Sequence, residues 1–220
     1  MVDFSTIKGI AIQEGNVKSI SSNGTILWKL GGLPSEYQEV EYIQSNGNQY
    51  IDTGIGGSDL GEYEIKMSPL SSRATTWEQY FAGQTYTETT VGKLYENSNR
   101  FVYQGYPLAR NVYVTISNLT DNAFEIKVIN GGVYSNGTKL TDYTPREWGT
   151  HTFYIFASHS EGLRASMRLY YLKMYSNGTL VRDYIPCYRK ADSVIGLYDL
   201  VSKVFYTNQG TGTFTKGGDI

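Results

Sequence analysis

Apolar and polar residues alternate along several stretches of this chain, and no other feature constrains its fold as strongly. Residues 62–68 read EYEIKMS and residues 124–128 read FEIKV, so every second residue is apolar. Successive side chains of a β-strand point to opposite faces of a sheet, which predicts strands with one buried and one solvent-facing side. Helical periodicity is nearly absent, although Thr76–Phe81 is compatible with a short helix. The chain is therefore predicted to be all-β.

Asparagine–glycine pairs separate these strand-like segments. The tetrapeptide Ser-Asn-Gly-Thr occurs at residues 22–25, 135–138 and 176–179, and the chain contains 24 glycines. Asn-Gly between two strands is a strong hairpin signal, because both residues tolerate the positive φ of a type I′ turn. The sequences flanking the three copies differ, so they are recurrent turns and not an internal repeat. The segment Ser45–Asn48 likewise predicts a hairpin, between strands near Ile43 and Tyr50.

Two segments, Thr152–Ala157 and Met167–Tyr175, are apolar on both faces. Such strands lie centrally in a sheet covered on both sides, or they carry tyrosines on a ligand-facing surface. Many short strands separated by Gly and Asn turns favour a β-sandwich or jelly roll over an up-and-down barrel, because the loop lengths are irregular. Gly31–Pro34 interrupts the pattern. We therefore predict a small β-hairpin module over residues 1–32 and a β-sandwich or jelly-roll domain over residues 33–220.

Composition excludes several functions. The formal net charge is −2, so there is no basic excess to attract nucleic acid. A single cysteine, Cys187, and two histidines exclude a disulfide framework and thiolate zinc sites. No apolar run approaches the roughly 20 residues that span a bilayer, and no secretory signal precedes the first strand. We expect synthesis in a cytoplasm and, if the protein acts outside cells, release by lysis.

The sequence shows no catalytic or metal-binding motif. Glycoside hydrolysis needs two carboxylates across a cleft, and the ExDxxE string of laminarinase-like sandwich enzymes does not occur. The pairs at residues 39/41 and 62/64 are glutamates two residues apart, which is typical of the solvated side of a strand. Four aspartates near turns could bind calcium, but they do not form a DxDxD cluster, so we interpret them as turn residues. These aspartates are Asp121, Asp142, Asp192 and Asp199. No catalytic residue, metal or cofactor is predicted.

Aromatic and polar residues in the middle of the chain suit recognition. Sugar rings present CH-rich faces that stack on aromatic side chains, while their hydroxyls need polar partners. Rigid aromatic side chains also make efficient interface anchors, and others fill cores. The predicted carbohydrate-binding residues are Trp77, Tyr86, Tyr103, Tyr106, Arg146 and Trp148.

Three stretches resemble known sequences. Residues 33–54 (LPSEYQEVEYIQSNGNQYIDTG) resemble the opening of a family common in prophages and gut Firmicutes, and residues 177–214 resemble the close of the same family. Residues 10–28 are similar to a short module that precedes such domains in phage tail-associated proteins, with Gln13 where that module has proline. The middle of the chain lies outside the resemblance.

The resemblance implies a concanavalin A-like (laminin-G-like) jelly roll in a phage or prophage virion protein. We therefore expect a non-catalytic, lectin-like tail or receptor-binding protein that binds host cell-surface carbohydrate. Its expected partners are host glycan, other virion proteins through residues 1–32, and further copies of itself, with no nucleic acid and no membrane insertion. The alternative is a purely structural decoration or connector protein of head, tail or baseplate.

Overall fold

The computed structural model describes residues 9–13, 16–22, 25–29, 32–56, 62–70, 78–82, 90–95, 100–104, 111–115, 122–142, 152–157 and 165–220. Within these ranges the chain forms strands, turns and no helix, and hence no helix that could cross a membrane. Two compact units are present, Met1–Pro34 and Ser35–Ile220. The strands are β1 Gly9–Gln13, β2 Asn16–Ser22, β3 Thr25–Lys29, β4 Tyr37–Glu39, β5 Ile43–Asn46, β6 Ile51–Gly56, β7 Glu62–Pro69, β8 Glu78–Ala82, β9 Thr90–Tyr95, β10 Arg100–Gln104, β11 Asn111–Thr115, β12 Phe124–Ile129, β13 Gly132–Ser135, β14 Thr138–Asp142, β15 Thr152–Ile155, β16 Ser166–Ser176, β17 Thr179–Arg189, β18 Ile195–Asp199, β19 Phe205–Thr207 and β20 Thr215–Lys216.

The first unit is a three-stranded antiparallel sheet in the order β1-β2-β3. Ile10 lies opposite Ile20, and Ile20 lies opposite Trp28. Directly opposed residues share a face of a sheet, so the register places one row of large apolar residues across all three strands.

The second unit contains two antiparallel sheets. The smaller has six strands in the order β11-β10-β9-β8-β15-β6. The larger has eleven strands, eight of them in the order β14-β13-β12-β7-β16-β17-β18-β19, while β5 and β20 pair with each other, β5 also pairs with β16, and β4 pairs with β17. Apolar side chains from both sheets form one buried cluster, which includes Ile65, Ile126 and Leu172 of the larger sheet and Ile51 and Phe153 of the smaller. The predicted all-β sandwich is confirmed.

Several local predictions hold. Asn136-Gly137 joins β13 to β14 and Asn177-Gly178 joins β16 to β17, and all four residues have positive φ, between 45° and 80°. Both pairs therefore form two-residue hairpin turns. Residues 167–175 lie in β16, which pairs with β7 on one side and, on the other, with β5 over its first half and with β17 over its second half. Leu172 and Met174 of this segment are buried in the core, and the residues that alternate with them are half-buried.

Two local predictions are wrong. Ser45–Asn48 does not close a hairpin, because β5 pairs with β16 and β20 while β6 pairs with β15 in the other sheet. The buried Gln49 side chain stabilises this crossing, since its Oε1 accepts hydrogen bonds from Ser45 Oγ at 3.1 Å and from the Asn46 amide at 3.0 Å. The segment Glu78–Ala82 is a strand and not part of a helix, because β9 and β15 supply hydrogen-bonding partners on both sides.

Candidate functional site

The predicted carbohydrate-binding residues fall in the middle of the chain. Trp77, Tyr86, Tyr106, Arg146 and Trp148 lie outside the described residues. The backbone of Tyr103 lies on β10, opposite Val91 of β9 and Val112 of β11 in the smaller sheet. This set remains a prediction, and the side chains that the structure does describe define two other candidate surfaces.

The first candidate is the outer side of the larger sheet. Leu172 and Met174 of β16 are fully buried in the core, so the residues that alternate with them point away from it. The same alternation on β7, β12 and β17 gives one continuous outward surface of tyrosine, lysine and carboxylate side chains. We call this surface the tyrosine face; its residues are Glu62, Glu64, Lys66, Glu125, Lys127, Tyr170, Tyr171, Lys173, Tyr175 and Asp183.

A row of alternating charge crosses the tyrosine face. Strand register places Lys127 opposite Glu64, Glu64 opposite Lys173, and Lys173 opposite Asp183. With neighbouring strands about 4.8 Å apart, this row of four residues is about 14 Å long. Lys127 Nζ lies 2.9 Å from Glu64 Oε2, and Lys173 Nζ lies 3.8 Å from Asp183 Oδ2. Each charge in the row therefore has an opposite charge beside it.

Two tyrosine hydroxyls are fixed by carboxylates of the same face. Tyr175 donates a hydrogen bond to Glu64 Oε1 at 2.6 Å, and Tyr171 donates one to Glu125 Oε2. Burial, followed by the adjacent carboxylate, raises the pKa of both phenols far above the usual value. Burial alone would raise the pKa of Glu64, but hydrogen bonds from Tyr175 and Lys127 outweigh it and hold this pKa below its usual value. At neutral pH Tyr171 and Tyr175 are therefore neutral phenols and Glu64 is an ionised carboxylate.

The tyrosine face continues toward β5. A bulge in the pairing of β16 with β7 places Tyr170 next to Lys66, whose Nζ lies 5.4 Å from the ring centre. Tyr170 meets the ring of Tyr42 edge-on at 5.5 Å, and the Arg168 guanidinium lies 5.0 Å from the centre of the Tyr42 ring. Cations close to aromatic rings hold those rings in place, which extends the ordered aromatic surface along β16.

The second candidate is a cleft of about 500 Å³ at one end of the same unit. It lies between the turn that joins β17 to β18 and the loop that follows β19. Its walls combine three apolar side chains with hydroxyl, amide and carboxylate groups and two glycines. We call it the loop cleft; its lining residues are Asp192, Ser193, Val194, Ile195, Thr207, Asn208, Gly210, Gly212, Thr213 and Phe214.

Asn208 organises the loop that forms one wall of this cleft. Its Oδ1 accepts hydrogen bonds from the Tyr50 amide at 3.1 Å and the Gly210 amide at 2.8 Å, and its Nδ2 donates to the Gly212 carbonyl at 2.9 Å. The opposite wall is held by Arg189, whose Nη2 lies 2.6 Å from Asp192 Oδ2. Both walls are thus set by contacts within the protein.

The turn aspartates have structural partners. Asp142 pairs with Lys139 at 2.8 Å, and the fully buried Asp199 accepts hydrogen bonds from the amides of Val201 and Ser202 at 3.0 and 3.1 Å. Asp121 lies outside the described residues. Across the described part of the chain, no group of three or more His, Cys, Asp or Glu side chains could hold a metal ion. Burial raises the pKa of the lone thiol, Cys187, to about 12, so it is unreactive at neutral pH.

Sequence reasoning did not single out the tyrosine face, although part of its signal was present. The tyrosines of Met167–Tyr175 fit either a central strand or a ligand-facing surface, and the structure places them on a strand inside the larger sheet, half-buried on its outer side. Glu62 and Glu64 have the spacing of a solvated strand side, and that side is part of the tyrosine face. Which strands flank one another could not be read from either segment.

Comparisons with known proteins bear on the fold. No protein-family model and no curated protein sequence matches this chain. A crystal structure of a proposed carbohydrate-binding protein from Bacteroides ovatus is similar over 91% of this chain and 68% of the other, with a TM-score of 0.52 and 14% identity. The Caenorhabditis elegans galectin LEC-6 matches 63% of this chain and 98% of its own, with a TM-score of 0.35 and 14% identity.

At this identity the similarity to the Bacteroides protein concerns the fold alone. Together with the two antiparallel sheets and their shared core, it defines the class of this protein as an all-β sandwich of two antiparallel sheets. The predicted β-sandwich fold class is confirmed.

Proposed function

We propose that the Ser35–Ile220 unit is a non-catalytic carbohydrate-binding module that binds glycan through the tyrosine face. The observation that carries this proposal is the arrangement of half-buried tyrosines between paired carboxylates and lysines on one side of the larger sheet. The carbohydrate-binding description of the structurally similar Bacteroides protein supports it.

The chemistry of the tyrosine face suits a sugar chain. Tyr171 and Tyr175 are half-buried, so each combines an apolar ring with a polar hydroxyl at a surface. Carboxylates accept hydrogen bonds from sugar hydroxyls, and lysine ammonium groups donate to sugar oxygens. A tyrosine side chain has only two torsions, and hydrogen bonds already hold the side chains of Tyr171 and Tyr175 in place. Binding a glycan therefore costs little conformational entropy.

The charge of the tyrosine face favours a neutral glycan. The face carries four carboxylates and three lysines, and the central row pairs them one to one. An anionic glycan would meet the carboxylates without any excess of positive charge to balance its own. We therefore expect neutral sugars to bind better than phosphorylated or uronic-acid polymers, with little dependence on salt.

The biological setting of the proposal comes from the sequence resemblance. We propose a bacteriophage virion, in which the module is a tail or receptor-binding protein attached through residues 1–32 to other virion proteins or to copies of itself. Many copies on one particle would raise the effective concentration of binding sites, so weak single-site affinity would suffice for host attachment. The protein would be made in the host cytoplasm and leave by lysis.

The test is co-sedimentation of the full-length chain with cell-wall polysaccharides of Gram-positive hosts, with and without competing neutral sugars. The variants are Tyr171→Ala and Tyr175→Ala on the tyrosine face, with Tyr188→Ala as the matched control. Trp77→Ala and Trp148→Ala test the residues predicted from the sequence. We expect either tyrosine-face substitution to weaken sugar-competed binding about tenfold, because each removes a stacking ring and a fixed hydroxyl.

Folded variants distinguish the outcomes. Binding lost in Trp77→Ala or Trp148→Ala and retained in both tyrosine-face variants would move the site to the predicted loop residues. No binding to any polysaccharide, together with defined oligomers of the full-length chain, would favour the structural decoration or connector protein. Folding of each variant is checked by circular dichroism before binding is measured.

A further inference from the structure

We propose that the loop cleft is a second binding site, which takes one neutral, hydroxyl-rich ligand about the size of a monosaccharide. This site is separate from the tyrosine face and does not depend on glycan binding there. Four properties carry the proposal: the size and floor of the loop cleft, its unpaired hydroxyls, its fixed walls and its charge.

The loop cleft has the size and floor of a small-molecule site. Its volume of about 500 Å³ lies within the range of about 300–1,000 Å³ usual for such sites. Phe214, Ile195 and Val194 give it an apolar part. Phe214 is only 3% exposed and packs on Phe156 with ring centres 5.2 Å apart, so its position is fixed by the core. An apolar surface of this kind suits the CH-rich side of a sugar ring.

Hydroxyl groups that line the loop cleft have no partner among the residues that the structure describes. Ser193, Thr207 and Thr213 all line it, and no hydroxyl of the three bonds to another residue in the described part of the chain. None of these three residues is buried, so water satisfies their hydroxyls when no ligand is bound. The hydroxyls of a ligand can form the same hydrogen bonds that this water forms. Replacing the water is therefore favourable for a polyol and unfavourable for an apolar molecule.

The walls of the loop cleft are fixed before any ligand arrives. Gln49 Nε2 donates to the Thr211 carbonyl at 3.2 Å, which adds to the three hydrogen bonds of Asn208. Gly212 has a φ of +70°, and a Cβ there would lie 3.0 Å from Gln49 Nε2, so glycine suits this conformation and this close approach. A ligand therefore does not have to order the loop on binding, which removes a common cost of affinity.

The charge of the loop cleft selects against anions. Asp192 is the one charged residue among its lining residues, and Arg189 Nε and Nη2 already contact both of its carboxylate oxygens, at 2.6–3.2 Å. Among the described lining residues there is no lysine or arginine to bind a phosphate or carboxylate group. The Asp192 carboxylate would repel an anion, whereas it does not repel a neutral ligand.

The test is an NMR titration of the full-length chain with glucose, galactose and N-acetylglucosamine, and with inorganic phosphate as the anionic probe. We expect saturable shifts of the Ser193, Thr207 and Thr213 amides with at least one sugar, and none with phosphate. The double substitution Thr207→Val, Thr213→Val should weaken this binding about tenfold, because it removes two hydrogen-bonding hydroxyls.

Two controls make the result specific to the loop cleft. Thr211 lies in the same loop but does not line the cleft, so Thr211→Val should leave the affinity for the sugar unchanged. Tyr175→Phe alters the tyrosine face and should also leave these shifts unchanged. Absence of saturable shifts with all three sugars, or unchanged affinity in the double variant, would overturn the proposal. Either result leaves glycan binding at the tyrosine face to be judged by the co-sedimentation experiment.

Discussion

The tyrosine face and the loop cleft are both polar, but they differ in whether their polar side chains bond to other groups of the protein. On the face, Glu64 is bonded to Tyr175 and Lys127, and Lys173 lies beside Asp183. In the cleft, the hydroxyls of Thr207 and Thr213 have no partner among the described residues. The groups of the face are thus ordered by partners within the protein before a ligand binds, whereas the cleft offers hydroxyls that have no such partners.

This difference follows from the elements that build each region. The tyrosine face lies on central strands, where side chains opposite each other are close enough to pair. The loop cleft is formed by a turn and a loop, in which the side chains of Asn208 and Asp192 bond to backbone amides and a backbone carbonyl. The cleft hydroxyls are left without partners among the described residues. A strand surface therefore gains rigidity from its paired groups, whereas a loop surface offers hydroxyls that a ligand can bond.

The largest effect is expected from Asn208→Ala. This substitution removes three hydrogen bonds and leaves the Tyr50 amide, which is partly buried, without its partner. We expect the free energy of unfolding to fall by about 2 kcal/mol, measured by urea denaturation. Sugar-induced shifts at the loop cleft should also disappear, while polysaccharide binding by the tyrosine face persists.

The control for this change is Thr211→Val, which alters an exposed side chain of the same loop. It should change stability by less than about 0.5 kcal/mol. A similarly small effect of Asn208→Ala would show that backbone contacts alone hold the loop, and that the walls of the loop cleft do not depend on this side chain.

A smaller effect is expected from Tyr175→Phe, which removes the hydroxyl that donates to Glu64. Stability should fall by about 1 kcal/mol, because the bond to a charged acceptor is only partly buried. The pKa of Glu64, followed by carboxyl NMR, should rise toward its usual value, because one of the two hydrogen bonds that lower it is lost.

Tyr188→Phe is the matched control for Tyr175→Phe. Its hydroxyl also donates to a carboxylate, that of Asp219, but across a longer distance of 3.3 Å at an exposed position. We expect a stability change of a few tenths of a kcal/mol at most. Equal effects of the two substitutions would mean that the network of the tyrosine face is no stronger than an isolated surface contact.

The sequence predicted the sandwich because its signals are local. Alternation in residues 62–68 and 124–128 identifies the buried side of β7 and β12, and Asn-Gly pairs identify two hairpin turns with positive φ. The same local reasoning failed at Ser45–Asn48, where the turn residues connect two different sheets. A turn sequence predicts that the chain changes direction, but it does not determine which strands pair with each other on either side of the turn.

Neither candidate surface could be read from the sequence in the same way. The central row of the tyrosine face joins residues up to 119 positions apart, Glu64 and Asp183, through three register choices. The loop cleft depends on Asn208 bonding the amide of Tyr50, 158 positions away. Residue type indicates which side chains suit sugar recognition, but long-range pairing decides which of them meet.

The smallest effect is a pH dependence of opposite sign in the two regions. Burial raises the pKa of Asp183 on the tyrosine face above its usual 3.8, although Lys173 partly offsets this, and a hydrogen bond from Arg189 lowers the pKa of Asp192 at the loop cleft. The contribution of Asp183 to stability is present below pH 3.8 and is lost as the pH rises through the pKa of Asp183 in the folded protein. The contribution of Asp192 is present above pH 3.8 and is lost as the pH falls through the pKa of Asp192 in the folded protein. As pH rises from below to above this range, Asp183→Asn should therefore gain stability relative to the unsubstituted chain, and Asp192→Asn should lose it, as measured by urea denaturation across the range. The same sign for both substitutions would contradict the distinction between a carboxylate held in a crowded strand network and one held by a single cation at the surface.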